Sequence, residues 1–316
     1  MPLSFEKPIE DLEIKISDMK TYASDQELDL TEEIDLLERR LDRLKVETFS
    51  SLSRWQRVQV ARAPGRPTSF DYLQTVFTDF QELHGDRILG DDPAVVTGLA
   101  RLDGRNLIVI AQQKGRDTKE NIQRNFGMSH PSGYRKAIRM FDLADKFRLP
   151  VITLIDTPGA YPGVAAEEQG QAWVIAESIK RMSRLEVPSV AVIVGEGGSG
   201  GALAIGVANR VLILENAIYS VISPESCAAI LWRDAAEAPK AAESLRLTAR
   251  DLIELEIVDR VVSEPIGGAH KEPDEAMRLV GRAIIEEIDK LVDLTPNELI
   301  QQRQTRFREL GRYQLV

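Results

Sequence analysis

The residues best placed to do chemistry in this chain are glycines. They fall in two turns, within VITLIDTPGAYPG (151–163) and SVAVIVGEGGSGGALAIG (189–206). In each, a run rich in β-branched residues reads as a fully buried strand, and the glycines after it let the backbone turn sharply into a helix. The first amides of a helix have no intrahelical acceptor, so such a turn presents bare N–H groups at the positive end of the helix dipole. That arrangement can hold developing negative charge without any charged side chain, which is the chemistry of an oxyanion hole.

Side-chain chemistry offers rivals. GGSGG (197–201) matches G-x-S-x-G with Ser199 in the nucleophile position, and Asp259 and His270 follow in the order that a serine hydrolase of the α/β class needs. Against it, five glycines in residues 195–201 make the match easy to reach by chance, and His270, in GGAHKEP, reads as a surface loop. His84 and His130 are the other candidate bases. LIDTPG resembles the second phosphate loop of GTPases, but no Gly-rich loop ending in Lys-Ser/Thr accompanies it. Asp156 then reads as a cap on the turn and Pro158 as the residue that shapes it. The adjacent acids Asp91 and Asp92, Glu167 and Glu168, and Glu286 and Glu287 read as solvated surface, since sequence neighbours on a helix face different ways. Cys227 reads as a small core residue, and Trp55, Trp173 and Trp232 as packing residues.

One positive island interrupts an acidic protein. Residues 112–139 hold Lys114, Arg116, Lys119, Arg124, Arg135, Lys136 and Arg139 against Asp117 and Glu120. Gly115, Gly127 and Gly133 predict a long loop there, and long loops inside compact domains are often functional. The segment is either a solvated face with local ion pairs or a site that attracts a carboxylate or a phosphorylated cofactor.

Composition bounds these readings. The chain has 316 residues, 43% of them apolar, and a formal net charge of −10, which fits a folded, water-compatible protein and argues against indiscriminate nucleic-acid binding. Cys227 is the single cysteine, so neither an intrachain disulfide nor a thiolate zinc cage is available, and a reducing cytoplasm fits. The start, MPLSFEKPIEDLEIKI, lacks an apolar signal core, and no run of apolar residues is long enough for a membrane span. Neither export nor membrane insertion is expected.

The elements that position the turns can be read from periodicity. Ile9, Leu12, Ile16 and Met19, then Ile34, Leu37, Leu41 and Leu44, predict two amphipathic helices in an arm over 1–50, with Thr31 as N-cap of the second. RAPGRPTS (62–69) reads as a connection, and FDYLQTVFTDFQEL after it as a helix. VVTGLARLD and LIVIAQQKG, joined at Asp103-Gly104, predict a hairpin. Strands then alternate with helices near 133–147, 165–185 and 200–208 and after Pro224, the pattern of an α/β fold with a largely parallel sheet. Met277, Val280, Ile284, Ile288 and Leu291 form a helical stripe, and Thr295, Pro296 and Glu298 predict a capping box opening a C-terminal helix over 295–316.

Several long strings taken together carry a specific likeness. IAQQKGRDTKENIQRNFGM, GYRKAIRMFDLADKF, LIDTPGAYPGVAAEEQGQ, VIVGEGGSGGALAIG, YSVISPESCAAILW and EPIGGAH, in this order over about 110–270, resemble the alpha subunits of bacterial acetyl-coenzyme A carboxylase carboxyltransferase. The amphipathic N-terminal helices fit as well, so the resemblance covers nearly the whole chain.

The resemblance implies an α/β crotonase-like (ClpP/crotonase) fold, a spiral of ββα repeats over 51–294 with the helical arm as an N-terminal extension. It implies transfer of a carboxyl group from carboxybiotin, on a biotin carboxyl carrier protein, to acetyl-CoA, giving malonyl-CoA for fatty-acid biosynthesis. Biotin carboxylase would be a separate protein. The active site would lie against a zinc-bearing beta subunit in an α2β2 heterotetramer, with no metal in this chain. Gly200 and Gly201 match the alpha-side oxyanion glycines of the family, and the biotin nitrogen itself takes the methyl proton, so no histidine base is required. Asp156, Gly159, Tyr161 and Gly163 would line the neighbouring wall with Gly197 and Gly198, and Lys114 and Arg116 would attract the carboxylate or coenzyme A phosphates. A serine hydrolase using Ser199 and a non-catalytic crotonase-like interaction subunit are the alternatives.

Overall fold

The computed structural model describes residues 3–311. Residues 1–2 of the predicted arm and 312–316 of the predicted C-terminal helix lie outside the described residues. Eight strands form one sheet: β1 (Thr78–Glu82), β2 (Val95–Leu102), β3 (Arg105–Gln112), β4 (Val151–Thr157), β5 (Ser189–Gly198), β6 (Arg210–Leu214), β7 (Ile218–Ser220) and β8 (Arg260–Val262). Their order is β1-β2-β3-β4-β5-β6-β8, with β7 paired to β5 off that path. The β1–β2 and β2–β3 pairs are antiparallel and the remainder parallel. Parallel strands need both faces covered, which is why β4 and β5 read as continuous apolar runs and are buried almost throughout.

The hairpin forms as its turn chemistry predicts. Asp103 and Gly104 both adopt positive φ, 50° and 75°, and β2 pairs with β3 in unbroken register from Val95 opposite Gln112 to Leu102 opposite Arg105. The helices Pro131–Phe147 and Gln171–Ser183 pack together over the sheet. Near its end β5 changes partner. Val190–Ile193 pair with β6, whereas Glu196–Gly198 pair with β7. The sheet therefore splays where the second glycine turn begins.

The terminal helices are anchored differently. In the N-terminal pair, Lys7–Asp25 and Thr31–Ser50, the first buries Ile9 and Ile16 while the second has no buried residue. Lys20–Glu38 and Lys45–Glu13 ion pairs, each 2.7 Å, join the two. At the other end Thr295 and Glu298 make the predicted capping box for Pro296–Glu309. Arg303 from that helix is fully buried and donates to the Leu185 carbonyl and to Asn209 Oδ1.

Several sequence expectations are corrected. FDYLQTVFTDFQEL is not one helix: Ser69–Thr75 is helical, and β1 follows as an irregular edge strand with Asp79 at φ 52°, because pairing with β2 overrides the local helical pattern. The helix predicted at 165–185 is broken at Gly170, φ 81°, into Val164–Glu168 and Gln171–Ser183. The one predicted at 200–208 shortens to Ser199–Leu203. Thr31 is the first helical residue rather than the cap, and Asp29 Oδ1 accepts from its amide and hydroxyl. Asp92 and Glu287 are buried, Trp173 is 67% exposed, and Cys227 is half-exposed. The His270 side chain is buried, with Nε2 3.0 Å from Glu6 Oε1 in the arm.

Candidate active site

The two glycine turns fold onto each other, backbone against backbone. A Cβ at Gly195 would lie 2.5 Å from Asp156 Oδ1, one at Gly198 would land on the Pro158 carbonyl, and one at Gly201 would lie 2.5 Å from the carbonyl carbon of Gly159. Three glycines spaced three apart thus meet the segment 156–159 in succession. The first turn is pinned from below. The Thr157 hydroxyl lies 2.7 Å from both the Gly127 and Gly159 carbonyls, and Tyr161 N–H donates to the Ser129 carbonyl. Gln171 Nε2 donates to the Ser129 and Tyr161 carbonyls, and His130 stacks on the Tyr161 ring at 4.1 Å. Gly163 is required because a Cβ there would enter the Tyr161 ring.

Gly200 and Gly201 occupy the first turn of the helix Ser199–Leu203, where amides have no intrahelical acceptor. Among the described residues no turn, loop or side-chain acceptor takes either N–H. Gly200 is half-exposed and Gly201 buried. Two donors are therefore left free at the point where the turns meet.

A cleft of about 760 Å³ is lined by Pro158 of the first turn together with Arg62, Arg66, Lys114, Arg116, Asp156 and Glu196, among others. It shares Arg62, Pro158 and Glu196 with a small crevice that reaches Gly197 and Gly198 where the sheet splays. The structure thus brings Lys114, Arg116 and Asp156 to the cleft and Gly197 and Gly198 to the crevice. Gly159, Tyr161, Gly163, Gly200 and Gly201 line neither, and Gly200 opens instead towards Ile175.

The cleft floor is a charge network. Lys114 Nζ lies 2.8 Å from Asp156 Oδ1 and 2.7 Å from Glu196 Oε2, and Arg62 holds the other Glu196 oxygen at 2.7 Å. Glu196 N–H donates in turn to Asp156 Oδ1. Burial pushes the Glu196 carboxyl up, but the Lys114 and Arg62 charges outweigh it and hold the group at about 2. Burial likewise acts to lower Lys114, and Asp156 and Glu196 raise it past its ordinary value. Deeper, Arg66 forms a bidentate pair with Glu264 at 2.6 and 3.0 Å.

The positive island is compensated almost residue by residue. Arg116 pairs with Asp71, Arg124 with Glu120, Arg135 with Asp86 and Lys136 with Asp91, while Arg139 donates to the His84 and Gly85 carbonyls. Arg62, Arg66, Glu196 and Glu264 were not singled out from the sequence. Glu196 carried a usable signal, as a lone charge in an otherwise buried strand. Asp156 does not cap its own turn but ties β4 to β5.

No hydrolase triad assembles. Ser199 is exposed, at φ 52°, and no hydrogen bond joins it to a histidine among the described residues. His270 faces Glu6, His84 faces Asp91, and Asp259 accepts from Val211 N–H and Arg306. Ser199→Ala is therefore expected to raise the barrier by less than about 1 kcal/mol, under roughly fivefold in kcat. A folded Ser199→Ala variant without activity would contradict this.

In fold the chain is similar to the transcarboxylase 12S core with methylmalonyl-coenzyme A and methylmalonic acid bound, at TM-score 0.58 and 21% identity over 75% of this chain and 44% of that one. It is also similar to a chain of a Pseudomonas malonate decarboxylase hetero-tetramer in complex with coenzyme A, at TM-score 0.55 and 19% identity over 70% and 91%. The architecture is that of the crotonase-like carboxyltransferases. Residues 2–311 match the model of a family described as acetyl co-enzyme A carboxylase carboxyltransferase-like. The acetyl-coenzyme A carboxylase carboxyl transferase subunit alpha of a Thermus thermophilus strain is 64% identical over 99% of both chains, and that of Deinococcus radiodurans is 56% identical over 97% of both. The chain belongs to this family of alpha subunits, enzymes of biotin-dependent carboxyl transfer that work with a partner subunit. Among the described residues no helix is long and apolar enough to cross a membrane.

Proposed function

We propose that this chain supplies the alpha half of a cytoplasmic carboxyltransferase, moving a carboxyl group from carboxybiotin to acetyl-CoA, with Gly200 and Gly201 as its oxyanion donors. The observation that carries the reading is the pair of amides left without acceptors where the two glycine turns interlock. When bound, biotin supplies the carboxyl group and a ureido oxygen that gains charge as that group leaves. Two neutral N–H donors fit such an oxygen, because they stabilise developing charge without binding a full anion beforehand. Gly201 lets the two turns close on each other, and the interlocked turns keep the donors aimed.

The remaining residues shape the approach. Lys114 and Asp156, tied through Glu196, make a rigid floor for the cleft, and Arg116 stands at its exposed edge. Gly197 and Gly198 let β5 run close under the crevice, while Gly159, Tyr161 and Gly163 form the wall beside Gly201. The catalytic domain spans 51–294, between the arm (1–50) and the C-terminal helix (295–316). Gly200 lies on an open face, and a zinc-bearing beta subunit completes and dries the site in an α2β2 assembly that receives the biotin carboxyl carrier protein. Biotin carboxylase loads the carrier separately.

The test is to co-express the chain with its beta subunit and replace the Gly200 amide by an ester, which removes the N–H and keeps the shape. The ester is expected to lower kcat by about 10²–10³. Full activity of the ester enzyme would refute the oxyanion role.

A further inference from the structure

We infer that Gln112 is a positioning residue for the Gly201 peptide, an inference that rests on the oxyanion role proposed above. Gln112 ends β3 and is fully buried. Its Nε2 donates to the Gly201 carbonyl at 2.8 Å, and its own carbonyl accepts from Ser69 Oγ at 2.6 Å, so it is fixed at both ends.

The Gly201 carbonyl needs this partner. In a regular α-helix it would accept the amide four residues on, from Ile205. Here the Ile205 N–H turns to the Ala202 carbonyl and the Ala204 N–H to that of Gly200. Among the described residues, Gln112 is the donor that the Gly201 carbonyl finds. Ser178 and Thr153 serve the carbonyls that follow, at Ala204 and Ile205, but they grip the chain beyond the glycines.

The Gly201 carbonyl belongs to the peptide that follows the Gly201 N–H, so Gln112 acts on that donor through the shared Cα: it fixes ψ at a glycine whose backbone is otherwise free to turn. Donors are effective catalytically when they are aimed before the charge appears. Gln112 supplies that constraint at a visible cost: its Oε1 is buried without a hydrogen-bond partner. An unmade buried acceptor is unfavourable, and an apolar side chain would remove it only by leaving the Gly201 carbonyl without a donor, so the two costs largely offset. What the glutamine adds over an apolar side chain is therefore the fixed geometry of the Gly201 carbonyl.

In the assembled carboxyltransferase, Gln112→Met and Gln112→Leu are expected to lower kcat by about tenfold or more while KM for acetyl-CoA holds. The thermal midpoint should fall only modestly, because the buried Gly201 carbonyl loses its donor while the unmade Oε1 is removed with it. An ester at Gly201 provides the reference, and adding Gln112→Met to it should cost little more, since both act on one donor. If the Gly201 ester retains full activity, the oxyanion reading falls. If the ester is impaired but Gln112→Met is not, the Gln112 inference alone falls. A lower midpoint in both Gln112 variants, with no change specific to kcat, would also overturn it and assign the residue to stability.

Discussion

Gly201→Ala is expected to abolish carboxyl transfer in the assembled enzyme, while Gly200→Ala keeps most of it. The two glycines are neighbours in one turn, yet their surroundings differ. A Cβ at Gly201 would lie 2.5 Å from the Gly159 carbonyl carbon and 2.6 Å from Ala160 N, both main-chain atoms of the opposing turn. No rotamer relieves a clash with backbone, so one turn must move. At Gly200 the nearest atoms are methyls of Ile175 at 3.6 and 3.7 Å, an ordinary contact. Displacement of a reacting group by about 1 Å can cost 10²-fold, and at Gly201 the displaced group is itself a proposed donor. Gly201→Ala should therefore lose at least about 10² in kcat, with subunit assembly followed separately by size-exclusion chromatography. Equal activity of the two alanine variants would show that the interlock does not set the site.

That contrast lies beyond the reach of sequence, and the reason is physical. A strand such as VITLID announces itself by β-branching, and an Asp-Gly turn by its need for positive φ; both signals are local. The sheet centre, the hairpin and the capping box at Thr295 were legible for this reason. β1 was not, because TDFQE is an edge strand with an irregular ladder and follows directly on a real helical turn. In the site, the glycine turns could be read one at a time, but their contact joins residues forty positions apart. Lys114 stood out as a cation open to ligands because its acidic partners are also distant in sequence, at Asp156 and Glu196. Arg62 and Arg66 sit in a stretch whose proline and glycine read as a connection, and Gln112 carries no local signal beyond its place in the LIVIAQQKG strand. What remained hidden were polar pairs whose meaning depends on a partner that the sheet brings in.

The same network yields the second large effect, on stability. Lys114→Met leaves Asp156 without an ion-pair contact among the described residues and Glu196 with Arg62 alone in contact, and Arg62 already shares itself with Glu225. Removing one partner from a buried ion pair typically costs about 3–5 kcal/mol, because the group left behind keeps its desolvation penalty. The pH dependence gives the sign. Glu196 is held at about 2 in the folded chain against an ordinary 4.5, so it contributes stability that is fully present above 4.5 and lost as pH falls towards 2. The deficit of Lys114→Met should accordingly be complete at neutral pH and shrink through the same window, as the carboxyl takes up a proton. Adding Glu196→Gln should recover part of the loss at neutral pH, since it removes the stranded charge. Urea midpoints of the parent protein, Lys114→Met, Glu196→Gln and the double variant at pH 7 and pH 4 provide the measurement. A deficit equal at both values, or no recovery in the double variant, would mean that Lys114 acts by packing its methylene chain and not by its charge.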